Sequence, residues 1–117
     1  MGKTNGLRAL EAAQLLSDGV LAAVKKFPAN DPAGIRKQLS ESANSVAANI
    51  AEGFGRGTKR EKTHYLRIAR GSLEETQNPL KVSWKAGYLD SKSFYRLWNL
   101  AVALGRMLAG LLARESR

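Results

Sequence analysis

Phe94, Leu97, Ala101, Leu104, Leu108 and Leu111 follow one another at alternating steps of three and four residues. A strand would require alternation with period two, so this spacing predicts an amphipathic helix over about residues 91–114 with a coiled-coil-like seam. Trp98, Val102, Ala109 and Leu112 form a second apolar stripe beside the first. One stripe is enough for a bundle core. Two adjacent stripes predict either an interface between copies of the chain, the reading favoured here, or a wide intramolecular core.

The same periodicity recurs upstream. Ile35, Leu39, Ala43, Val46 and Ile50 predict a second helix over about residues 35–52, with a period close to 3.6. Leu7, Leu10, Ala13, Val20, Val24 and Phe27 predict a first helix over about residues 7–26, closed by "FPANDPAG", where Pro28 and Pro32 disfavour helix at the preceding positions. Leu66, Ala69, Leu73, Thr76, Leu80 and Trp84 predict a third over about residues 59–87, stopped at Gly87. Pro79 lies inside it, removes a backbone donor and crowds the carbonyl of Glu75, so a kink or local break is expected there. Asp90 or Ser91 is the next N-cap.

Four amphipathic helices with short connections predict an all-α, antiparallel up-and-down four-helix bundle in a single domain over residues 1–117. For the second and third helices, a loop centred near residue 56 makes facing positions sum to about 112. Val46 then faces Leu66, Ala43 faces Ala69, and Leu39 faces Leu73.

Composition narrows the function classes. The chain has 117 residues and no cysteine, which excludes a disulfide framework, thiolate zinc and a cysteine nucleophile. No apolar run is long enough for a membrane span and no signal peptide is visible, so a cytoplasmic setting without membrane contact is expected. Nineteen Lys and Arg against ten Asp and Glu give +9, which favours polyanionic partners.

"NIAEGFGRGTKRE", residues 49–61, tests that inference. Its alternate glycines, Gly53, Gly55 and Gly57, match neither nucleotide-binding glycine pattern, and a helix rather than a strand precedes them. Helix punctuation accounts for them better. Gly53 is expected as a positive-φ cap, Gly55 and Gly57 as turn residues, and Thr58 as the N-cap of a capping box with Glu61. The cations are less easily absorbed. Arg56, Lys59, Arg60, Lys62, Arg67 and Arg70 stand against Glu61 alone between residues 56 and 70, and Arg60, His64 and Arg67 share one stripe. Cations near a helix N-terminus oppose the macrodipole. These six residues are therefore the candidate nucleic-acid contacts, the plain alternative being a solvated face. Tyr65 within the patch reads as partly buried core, with base stacking the other option.

Catalytic chemistry finds little support. His64 is the only histidine, so no metal site or cofactor is expected. Glu52 and Glu75, placed by the expected register, lie more than about 20 Å apart, too far for an acid–base pair. Asn49, Glu52, Ser72 and Glu75, with Ser42, Ser45 and Gln77 beside them, read instead as structural or interface polar groups. Arg56 or Arg60 is the expected partner of Glu52. The chain is expected not to be an enzyme.

"QLSESANSVAANIAEGFGR", "YLRIARGSLEE" and "AGYLD" resemble the four-helix-bundle proteins encoded in intervening sequences of bacterial large-subunit ribosomal RNA genes. They are also similar to accessory proteins of diversity-generating retroelements. The resemblance covers about residues 27–112. It rests on Asn49-Ile50-Ala51-Glu52-Gly53 with Gly55-Arg56, then Gly71-Ser72 and Glu75. It implies a ring of bundles, commonly a homopentamer, with a basic surface. For the retroelement relatives it implies RNA or DNA binding and a reverse transcriptase as protein partner. The chain departs from the pattern at Ser40-Glu41-Ser42, where relatives carry arginine, and at Asn78-Pro79, where they continue an unbroken helix.

Overall fold

The computed structural model describes residues 2–31 and 34–115. Among these the chain is four helices: α1 (Gly2–Val24), α2 (Ile35–Phe54), α3 (Lys59–Lys85) and α4 (Ser91–Glu115). They run up and down, and each packs against two neighbours. α1 touches α2 and α4, and α3 touches the same two, so the bundle is square in section. Its length of 46 Å against 23 and 18 Å across matches helices of this length lying side by side.

The periodic positions form the core. Every expected core residue of the second helix is buried, as are Phe94, Leu97, Ala101, Leu104, Leu108 and Leu111 of α4. α4 is long and apolar enough by composition to cross a membrane, although no single apolar run in it is. In the bundle its seam is instead buried against the other helices.

α1 differs from expectation. It begins at Gly2, and its buried stripe is Ala9, Ala12, Ala13, Leu16, Val20 and Val24, while Leu7 turns to solvent at 57% exposure. Gly6, inside this early turn, meets α2. A Cβ there would stand 2.5 Å from the Phe54 ring, so glycine lets that ring lie on the α1 backbone.

The α1–α2 connection is held by residues the periodicity does not reveal. The Asp31 carboxylate accepts from the Ile35 N–H at 3.1 Å and the Arg36 N–H at 2.8 Å, capping α2. The Arg36 guanidinium donates to the carbonyls of Phe27 (2.9 Å) and Pro28 (3.0 Å), fastening the linker. Pro32 lies outside the described residues.

α3 runs through Pro79 as one continuous helix, so of the expected kink or local break the break does not occur. The ring is buried, and the carbonyl that loses its donor belongs to Glu75, an exposed residue whose backbone water can serve. At the far end Gly87 takes φ +82°, while Tyr88 and Leu89 donate to the Ser83 carbonyl, a glycine stop as expected. Asp90 then caps α4 by accepting from the Ser93 N–H at 2.7 Å. The Ser93 backbone bond, ahead of its side-chain bond, holds the Asp90 carboxyl below its ordinary 3.8, with smaller contributions from Lys26 and Arg96.

The α2–α3 register is shifted from the symmetric expectation. Ser45 meets Ser72 and Ser42 meets Thr76, so facing numbers sum to 117 and 118 in place of about 112. The reason is an asymmetric loop. The chain reverses at the loop, and the opening residues of α3 stand beyond the end of α2, which displaces the pairing of the rest of α3 along α2. The expected facings Val46–Leu66, Ala43–Ala69 and Leu39–Leu73 are therefore replaced, although all six residues are buried.

Candidate nucleic-acid interface

The loop that carries the basic patch is built around Thr58. Its backbone is extended (φ −110°, ψ 149°), and its Oγ1 accepts from the Glu61 N–H at 3.2 Å and donates to Glu61 Oε1 at 3.0 Å. Thr58 is the cap its spacing predicts. Gly53 is not a positive-φ cap. It lies buried inside α2, and the helix ends at Gly55 with right-handed φ −82°. Gly53 serves close approach instead, because a Cβ would meet the Tyr65 Cβ and the Lys62 carbonyl at 3.2 and 3.3 Å.

Arg56 sits at the centre of this corner. Its guanidinium lies 3.4 Å from Glu52 and 3.7 Å from Glu61, donates to the Tyr65 hydroxyl at 3.0 Å, and covers the Tyr65 ring at 4.8 Å. The Glu52–Arg56 pair is as expected. Two carboxylates and a ring already occupy this cation, so it braces the corner. Tyr65 is half-buried and engaged by Arg56 on its face and His64 at its edge.

The other cations project outward. Lys59, Arg60, Arg67 and Arg70 are exposed, with His64 between them, and half-buried Lys62 stands 5.9 Å above the Phe54 ring. Among the described residues no ion pair joins Arg60, Lys62, Arg67 or Arg70 to a carboxylate. The arrangement extends to a whole half of the bundle, which also receives the start of α1 and the end of α4. Residues 5–12, 46–70 and 104–114 carry nine Lys and Arg against three Asp and Glu; residues 13–45 and 71–103 carry eight against six. The protein is electrostatically polar along its axis.

The polar stripe on α2 closes against α3. Ser45 and Ser72 hydroxyls are 2.8 Å apart, Asn49 Nδ2 donates to the Ser45 carbonyl and Oγ at 2.8 and 3.0 Å, and Thr76 donates to Ser42 at 3.0 Å. Glu75 lies at the mouth of a groove with Gln38, Glu41 and Ser42. By the observed register Glu52 faces position 66, so about 14 Å along the axis separates it from Glu75, less than the sequence suggested. Even that exceeds the spacing of a hydrolytic carboxylate pair. Among the described residues no group of three His, Cys, Asp or Glu is placed to hold a metal.

Of the second stripe on α4, Trp98 and Val102 are half-buried and Ala109 is exposed. Leu112 is 6% exposed and belongs to the core of the single chain, so it offers no surface to another copy. Trp98 stacks beside Phe94 and carries Lys81 above its ring at 5.0 Å.

A square four-helix bundle with a capped, cation-bearing corner at one end is thus the class to which the molecule belongs. The family described as "23S rRNA-intervening sequence protein" matches residues 5–110, and the chain belongs to that family. The match takes in α1 as well as the helices that carry the sequence signature. A similar solved structure is a protein of unknown function from the S23 ribosomal protein family of Bacteroides thetaiotaomicron. It superposes with a TM-score of 0.85 at 16% identity, over 93% of this chain and 98% of that one. At that identity the likeness concerns the fold. No curated protein sequence matches the chain.

Proposed function

We propose that this protein is a non-enzymatic, homo-oligomeric accessory protein that binds RNA or DNA through its basic half, in the cytoplasm and without a cofactor. The observation that carries the reading is the exposed row Arg60, Arg67 and Arg70 on α3, which has no carboxylate partner among the described residues. Unpaired guanidinium groups on one rigid helix suit phosphates, which fix position without reading sequence. Lys59 and Lys62 extend the row, whereas Arg56 shapes the corner that presents it.

The test is a titration with single-stranded RNA across a salt series. Three or four phosphate contacts correspond to a slope of log K against log salt of about −2 to −3. A flat salt dependence, or full affinity after Arg60 and Arg67 are changed to Gln, rules the reading out.

A second reading, a scaffold that docks a protein such as a reverse transcriptase without free nucleic-acid affinity, draws on α1. Leu7, Leu15 and Leu21 are exposed on its outer side at 57%, 61% and 47%. The same leucines, with half-buried Trp98 and Val102 on α4, support self-association. A pull-down that recovers one specific protein from a chain with no RNA affinity favours the scaffold.

A further inference from the structure

At the basic end, α1 and α4 enclose an open groove of about 240 Å³, separate from the basic row on α3. Three arginines border it: Arg8 from α1, and Arg106 and Arg114 from α4. All three are exposed, and among the described residues none is ion-paired with a carboxylate. Collecting like charges opposes folding, so helix packing alone does not call for them. Arg114 stands against the Asn5 side-chain amide: with that amide turned to present its oxygen, both terminal guanidinium nitrogens lie within hydrogen-bond reach, at 3.1 and 3.2 Å.

The floor supplies an independent observation. Gly110 lies within α4, where glycine is less favourable than alanine by roughly 1 kcal/mol. No packing contact requires it, since a Cβ there would meet nothing within 4 Å. With no side chain of its own, Gly110 leaves the groove open beside Met107 and Leu111, whose apolar side chains also line it. An open apolar floor of Met107, Gly110 and Leu111 bordered by guanidinium groups fits a phosphate-bearing strand with a ribose or base face against the floor.

We infer that the α1–α4 groove is a second phosphate-binding site, used by the same single strand that lies along α3. The inference rests on the nucleic-acid reading above and extends its footprint to Arg8, Arg106 and Arg114. Helix α4 ends and α3 begins in the same half of the bundle, so one strand passing over that end meets both.

Fluorescence anisotropy with a single-stranded oligouridine, over a potassium chloride series, tests it on three variants of the full chain. The triple change Arg8→Gln, Arg106→Gln, Arg114→Gln is expected to weaken binding tenfold or more and to flatten the salt slope by about 2. Gly110→Leu, which fills the groove without altering charge, is expected to weaken binding severalfold. The control Lys25→Gln, Lys92→Gln, Arg96→Gln removes the same charge from the opposite half and is expected to have a clearly smaller effect. Equal losses from the two triple variants, or parental affinity in Gly110→Leu, overturn the groove while leaving the α3 reading intact. Absence of binding by the parent overturns both.

Discussion

Gly53 of α2 lies so close to Tyr65 of α3 that a Cβ on Gly53 would stand 3.2 Å from the Tyr65 Cβ. The opposing atoms, that Cβ and the Lys62 carbonyl oxygen at 3.3 Å, move only with the α3 backbone. Gly53→Ala gains up to about 1 kcal/mol of helix propensity but incurs an overpacking cost of about 1–3 kcal/mol. A net loss is expected, and a larger one for Gly53→Val. Gly71, also inside a helix, has nothing within 4 Å of its Cβ position. Gly71→Ala is therefore expected to stabilise by about 0.5–1 kcal/mol. Urea midpoints at constant m-value check both signs.

The hydroxyl seam between α2 and α3 behaves as a coupled pair. Ser45→Ala removes the partner of Ser72 and one of the two acceptors of Asn49, and Ser72→Ala removes the partner of Ser45. Each single change is expected to cost about 0.5–1 kcal/mol, because each leaves a part-buried hydroxyl at the edge of the groove short of a protein partner. The double variant is expected to cost less than the two losses together, by about 0.5 kcal/mol or more. Strict additivity in denaturant titrations would show that the two hydroxyls act independently.

Asp90 gives the fold an acid-sensitive joint. Its carboxyl is held below the ordinary 3.8, chiefly by the Ser93 backbone N–H. In the window between the two values the unfolded chain binds more protons, so stability rises with pH there. The contribution is fully present above about pH 4 and is lost as pH falls through the folded value. Asp90→Asn keeps an acceptor oxygen for the Ser93 amide but cannot titrate. Its Tm should therefore fall less steeply than the parent's on acidification below pH 4. Parallel acid limbs for the two proteins would show that the cap has no share in the pH dependence.

Repeating apolar steps made the bundle legible, because period 3.6 over twenty residues admits few alternatives. The Thr58 and Asp90 caps were equally open to reading, since each depends on residues within three positions. What escaped depends on contacts distant in sequence. The register departs from the symmetric expectation because the loop is asymmetric, and the role of Gly53 depends on Lys62 and Tyr65, which belong to the next helix. Leu112 looked like an interface residue from its stripe alone, yet the square packing buries it. The Asp31 cap and the groove around Arg8, Arg106 and Arg114 are hidden in the sequence for different reasons. Asp31 lies inside a proline-rich linker, and the three arginines come from the two ends of the chain.

Arg56 and the pair Arg60 and Arg67 carry the same charge in different settings, and their substitution should separate stability from binding. Arg56 holds Glu52, Glu61 and Tyr65 together, so Arg56→Gln leaves two carboxylates and a phenol without their shared partner. Both ion pairs are partly exposed, which limits the stability loss to about 1 kcal/mol. Arg60 and Arg67 are exposed and pair with no carboxylate among the described residues, so changing them to Gln should leave the urea midpoint within about 0.5 kcal/mol of the parent. Their effect should fall on RNA binding instead, where losing two phosphate contacts flattens the salt slope by about 1.4. For Arg56→Gln the slope should change little, since its charge is already balanced within the corner. If Arg56→Gln lowers the slope as much as Arg60→Gln does, the corner opens on binding and Arg56 transfers from its carboxylates to phosphate.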